Sequence, residues 1–168
     1  ESGCLWGEGR LEHVRLWDTK HPWLYQIEAV LVDGNGKRDC CRESFGFREV
    51  HIRDCRLYLN GEPVYLKGFG KHEDSPVRGR GFDLVYAVKD IALLKWIGAN
   101  SFRTSHYPYS EEMLQLCDRE GILLIDEAPA VGLHTAFTAT GMLGGKAENT
   151  WATLKTAKHH RQVLQEMV

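Results

Sequence analysis

No apolar run in this sequence approaches the ~20 residues that a membrane-spanning helix needs. Charge of one sign is not in excess either: 21 Lys and Arg stand against 23 Asp and Glu, giving a formal net charge of −2 with both signs interspersed. Neither the basic face of a nucleic-acid binder nor a polybasic membrane segment is present. Cysteine occurs without pattern. Cys4, Cys40, Cys41, Cys55 and Cys117 contain no Cys-x-x-Cys pair and leave one over, which argues against a zinc site and against a disulfide framework and favours a reducing compartment. The first residues, Glu1 to Trp6, lack the basic and apolar regions of a signal peptide, so a cytoplasmic location is the expectation.

What is present is an ordinary globular balance, with 43% hydrophobic and 26% charged residues in a chain of 168, which argues against disorder. The first ~50 residues predict antiparallel β structure. Tyr25, Ile27, Ala29 and Leu31 alternate with Gln26, Glu28 and Val30, the period of a half-buried strand, and Asp33-Gly34-Asn35-Gly36 is a strong turn signal. A second hairpin is expected around Asn60-Gly61, between Arg56–Leu59 and Val64–Leu66.

Beyond it the pattern becomes strand, helix, strand, helix, strand. Val64–Gly68 predicts an apolar strand. Leu84, Ala87, Val88, Ile91, Leu94 and Ile97 mark one face of a helix that Gly98 can end. Asn100–Ser105 predicts a short strand, and Ser110 caps a helix with Glu111 and Glu112 in its first turn and Gly121 past its end. Ile122–Ile125 predicts a strand buried on both faces of a parallel sheet. His134–Thr150 predicts a long loop, and a further helix is expected from about Thr153. On this pattern an open doubly wound sheet and the start of a barrel both remain possible.

Each predicted parallel strand ends in polar residues: Lys71-His72-Glu73-Asp74, then Arg103-Thr104-Ser105-His106-Tyr107-Pro108, then Asp126-Glu127. Parallel α/β folds bind ligands at the carboxyl ends of their strands, so three such clusters suggest one cleft. The plainer alternative is that each cluster only caps a strand or the helix after it. His72 and His106 are the sharper candidates, since imidazole can donate to or accept from the hydroxyl groups of a ligand. Arg103 needs a carboxylate partner, and Asp126 is expected to supply it. Adjacent strand residues point to opposite faces, so Asp126 and Glu127 make a poor acid–base pair. Ser105-His106 has no glycine-flanked serine elbow. His72, Glu73 and Asp74 lack metal-ligand spacing, and His159-His160 fits a solvated helix face. Gly68-Phe69-Gly70 lacks the third glycine of a dinucleotide site.

Asn100–Pro108, followed by Asp118, Gly121 and Ile122–Ile125, resembles the first signature of glycoside hydrolase family two, and Gly68–Asp74 with Arg78–Asp83 is similar to the matching stretch of the β-glucuronidases within it. Asp126–Gly132 resembles their third-strand motif, and the likeness runs from about Trp23 onward. The resemblance implies that residues 1–50 are closing strands of an immunoglobulin-like β-sandwich. It also implies that residues 51–168 are the first three strand–helix units of a (β/α)8 TIM barrel. It further implies a retaining glycosidase acting on β-D-glucuronides, with no cofactor, in a full-length homo-oligomer, a tetramer. His72 and His106 would bind the sugar, with Arg103 and Asp126 supporting them. No catalytic residue is expected here, because the family's acid/base glutamate follows asparagine in an Asn-Glu-Pro motif that these residues do not contain, and its nucleophile lies later still. The magnesium ligands of the β-galactosidase branch are replaced by Val131 and Leu133, so no metal is expected. Residues 134–157 fall where gut bacterial relatives carry a loop over the active site. Other family-two specificities, β-galactosidase or β-mannosidase, and a non-catalytic carbohydrate- or partner-binding module remain as alternatives.

Overall fold

A computed structural model describes residues 6–129 and 157–167, and the chain divides into two units, Glu1–Tyr65 with Asp118–Gly121, and Leu66–Cys117 with Ile122–Val168. In the first unit β1 (Tyr25–Val32) pairs antiparallel with β2 (Arg38–Phe45) in the register Tyr25↔Phe45 to Val32↔Arg38. The predicted turn joins them. Gly36 takes φ +78°, and Asp33 Oδ1 accepts from the N–H of Asn35 at 2.9 Å and of Lys37 at 2.8 Å. The alternation in β1 does not bury one face: Ile27, Val30, Leu31 and Val32 are all exposed, since no second sheet packs on this hairpin among the described residues.

β3 (Val50–Arg53), β4 (Arg56–Leu59) and β5 (Glu62–Pro63) form a separate three-stranded antiparallel sheet. Its second turn is the expected Asn60-Gly61, both at positive φ; its first is Asp54-Cys55, at φ 51° and 57°, which carries no glycine to announce it. The buried centre of this unit is Trp17, which is fully enclosed. Its indole Nε1–H donates to the Asp118 carbonyl at 2.7 Å, the Arg48 guanidinium lies 4.5 Å over its ring, and Arg48 also bonds Asp118 Oδ1 at 2.7 Å.

In the second unit β6 (Gly70–Lys71), β9 (Ser101–Thr104) and β10 (Leu123–Ile125) make a parallel sheet in the order β10-β9-β6. A small hairpin, β7 (Asp74–Ser75) and β8 (Gly79–Arg80), follows β6. Helix α1 (Leu84–Trp96) begins at Asp83, whose side chain accepts from Val85 N and Tyr86 N, and Gly98 leaves it at φ +79°. Helix α2 (Glu111–Glu120) follows Ser110, whose carbonyl accepts from Leu114 N, and Gly121 ends it at φ +73°. α3 (Ala157–Glu166) buries none of its residues. Its predicted first turn from Thr153, and the predicted loop of residues 134–150, lie outside the described residues.

The core joins α1, α2 and the sheet through Ala87, Ile91, Leu94, Phe102, Met113 and Leu116, among others. Of the six positions expected on the apolar face of α1, only Ala87, Ile91 and Leu94 are buried. Two expectations about strands are corrected. Val64–Gly68 is not a regular strand: the Lys67 and Phe69 carbonyls accept from β9, but paired strand begins only at Gly70. The run Ile122–Ile125 is not buried on both faces, because β10 lies at the edge of the sheet and Ile125 is exposed.

Candidate functional site

The register of the parallel sheet decides which side chains meet at its carboxyl ends. Gly70 lies beside Arg103, and Arg103 beside Ile125; Lys71 lies beside Thr104. Continuing the rows brings Asp126 level with Thr104. His72, the stretch from Ser105 to His106, and Glu127 then leave the three strands on one side. The His72 and His106 rings stand edge to face with centroids 5.4 Å apart, their side chains 57% and 46% exposed, so a ligand can reach both. The Ser105–His106 peptide bond is cis.

Beneath His106 the expected pairing of Arg103 with Asp126 is not what forms. Arg103 Nη1 donates to Glu127 Oε1, and His106 Nδ1 lies 3.1 Å from Glu127 Oε2. Asp126 Oδ1 accepts instead from Thr104 Oγ1 at 2.9 Å, and the same hydroxyl accepts from Glu127 N–H at 2.8 Å. Alternation explains the exchange. Arg103 and Thr104 point to opposite faces of β9, so the two adjacent carboxylates are divided between them, one to each. The hydrogen bond from Arg103, more than any other influence, holds the Glu127 carboxyl below the usual carboxylate range, against the opposing effect of burial; His106 adds to the lowering.

Partly buried polar residues hold the main chain at His72. Lys71 Nζ bonds Asp90 of α1 at 2.9 Å and the His72 carbonyl at 3.0 Å, and the Tyr109 hydroxyl donates to the Lys71 carbonyl. Burial raises the Tyr109 hydroxyl well above its ordinary pKa, keeping it a donor. Burial likewise raises the Glu73 carboxyl, partly offset by Lys71 and Arg80, and its Oε1 has no hydrogen-bond partner among the described residues. Asp74 Oδ2 lies 3.9 Å from His72 Nδ1, and Arg80 sits 3.7 Å over the Tyr107 ring.

Chemically, this is a pair of accessible imidazoles held from below by charged and hydroxyl groups, suited to gripping neighbouring hydroxyls. Sequence reasoning placed Lys71 and Glu127 in the strand-end clusters but gave neither a role, and it missed Asp90 and Tyr109 altogether. The adjacency of Asp126 and Glu127 was the available signal for the role of Glu127; nothing local marks Asp90 or Tyr109. Among the described residues no group of His, Cys, Asp and Glu is arranged to hold a metal ion. Val131 and Leu133 lie outside the described residues.

Thr104 is completely buried and bonds both strand-end carboxylate residues. Thr104→Val is expected to leave the part-buried Glu127 N–H unpaired, at a cost of about 1 kcal/mol or more, while the exposed Asp126 carboxylate turns to water. Thermal melting checks it; an unchanged melting temperature would show that water replaces the hydroxyl.

Comparison with known proteins places these features among relatives. The profile of "Glycosyl hydrolases family 2, TIM barrel domain" matches residues 50–168, and that of "Glycosyl hydrolases family 2" matches residues 5–48, so the likeness starts well before Trp23. A β-glucuronidase of Streptococcus agalactiae is 46% identical over 158 residues, covering 94% of this chain and 26% of that protein. Among solved structures, a β-D-glucuronidase of Dictyoglomus thermophilum matches with TM-score 0.70 at 52% identity over 73% of this chain and 21% of its own. A β-glucuronidase of Ruminococcus gnavus in complex with D-glucuronic acid matches with TM-score 0.67 at 55% identity, over 71% of this chain and 21% of its own. The chain thus spans about a quarter of the length of the curated relative.

Proposed function

This chain belongs to glycosyl hydrolases family 2, and we propose on that basis that it forms the sugar-facing opening of a retaining β-glucuronidase. Residues 1–50 would close an immunoglobulin-like sandwich, and residues 51–168 would supply the first strand–helix units of the catalytic barrel. The whole enzyme, a homo-oligomer, would hydrolyse β-D-glucuronides. In such a reaction one glutamate attacks the anomeric carbon while a second protonates the leaving oxygen and later activates water; both lie outside these 168 residues. His72 and His106 contribute by gripping sugar hydroxyls as the ring flattens toward the oxocarbenium ion. Arg103 and Asp126 act from beneath, Arg103 through Glu127 and Asp126 through Thr104.

The observation that carries this reading is the placement of two exposed imidazoles 5.4 Å apart where two neighbouring parallel strands end. His72→Ala and His106→Ala in the full-length enzyme are each expected to lower kcat/KM for a chromogenic aryl β-D-glucuronide about tenfold. A fall of less than about threefold, well under 1 kcal/mol, rejects the assignment. The matching galactoside and mannoside are expected to be poor substrates. The purified 168-residue chain alone is expected to turn over none of them.

A further inference from the structure

We propose that Glu127 selects the tautomer of His106 and so presents Nε2 of that ring as a hydrogen-bond acceptor to the sugar, a role that rests on the reading of His106 as a sugar ligand given above. An ionised carboxylate accepts hydrogen bonds and donates none. The His106 Nδ1 that lies 3.1 Å from Glu127 Oε2 therefore carries the ring proton. In the neutral ring Nε2 is then left with its lone pair free, whereas in free histidine the proton prefers Nε2. The carboxylate makes the choice.

Three further observations hold Glu127 to this task. Its two oxygens have separate donors, Oε1 taking Arg103 and Oε2 taking His106. The Arg103 hydrogen bond keeps it ionised through the neutral range. Its backbone N–H is fastened to the buried Thr104 hydroxyl at 2.8 Å. Glu127 is the less exposed partner, 23% against 46% for His106, so the imidazole meets the ligand and the carboxylate stays beneath it. Gly70 leaves room for the supporting arginine, because a Cβ there would come within 2.9 Å of Arg103 Nη2. Glu127 is thus a positioning residue, acting through His106, in the way that a second group fixes the orientation and protonation of a histidine ligand.

Glu127→Gln is the discriminating change. Glutamine has the same shape but a single acceptor oxygen, which Arg103 claims. Its NH2 then faces His106 Nδ1, the ring proton moves to Nε2, and the acceptor becomes a donor. The measurement is a double-mutant cycle of E127Q and H106A in the full-length enzyme, read as kcat/KM for an aryl β-D-glucuronide, with melting temperatures of all variants. E127Q alone is expected to lower kcat/KM about tenfold, and by less than about twofold once His106 is alanine. An equal loss in both backgrounds overturns the proposal, since Glu127 would then act elsewhere. If H106A by itself changes kcat/KM less than threefold, the failure belongs to the reading of the sugar site and the proposal falls with it. Should E127Q not accumulate as folded protein, Glu127→Asp, which draws the carboxylate back by one methylene, is put through the same cycle with the same outcomes.

Discussion

Gly68→Ala is expected to cost the unit that carries the histidines about 3 kcal/mol or more, lowering its melting temperature by roughly 10 °C or more, or preventing its folding. A Cβ at Gly68 would overlap the main-chain carbonyl of Ser101 and stand 2.8 Å from the Ser101 hydroxyl. Main chain cannot swing aside as a side-chain end can. The only relief is to part this segment from β9, which breaks the hydrogen bonds from Asn100 N and Ser101 N to Lys67 O and from Arg103 N to Phe69 O. Gly70→Ala makes the contrast. There the atoms met are Ser105 Oγ at 2.7 Å and Arg103 Nη2 at 2.9 Å, both at the ends of side chains. It is therefore expected to cost less stability while disturbing Arg103. Thermal melting of the protein carrying each change decides the matter; a Gly68→Ala protein as stable as the parent would show that the two segments do not approach as closely as described.

Trp17→Ala is the second large effect, expected at about 3–5 kcal/mol. Its side chain is fully enclosed, so the substitution opens a cavity, removes the seat of the Arg48 guanidinium, and leaves the Asp118 carbonyl without its indole donor. Gly46 packs so closely that a Cβ on it would lie 2.7 Å from the tryptophan Cβ, so the backbone has little freedom to collapse into the gap. Trp17→Phe keeps most of the apolar contact and loses the N–H, so about 1 kcal/mol is expected there. A cost below about 1 kcal/mol for the alanine variant would show that Trp17 is not the centre of its unit.

These positions also show where sequence reading succeeds and where it stops. The Asp33–Gly36 turn, the Ser110 start of α2 and the ends of both helices at Gly98 and Gly121 were legible because each is governed by a few neighbouring residues with local chemistry. The Asp54-Cys55 turn was not, since neither residue favours positive φ strongly enough to be noticed. Trp17 was overlooked because its partners Arg48 and Asp118 are distant in sequence. At the site, His72 and His106 could be singled out from residue type and strand ends. Which of two adjacent carboxylates serves Arg103 depends on facing across a sheet, and that is set by register. Apolar periodicity likewise marked more of α1 and β1 than this chain buries, because burial is decided by what packs against an element and not by the element alone.

The last turn of α2, Asp118–Gly121, groups with residues that end at Tyr65. During synthesis the first unit must therefore wait for roughly fifty further residues, on the order of 3–10 s of elongation, before the carbonyl under Trp17 leaves the ribosome. Until then that indole can donate only to water, and the enclosure that the folded unit gives its ring is incomplete.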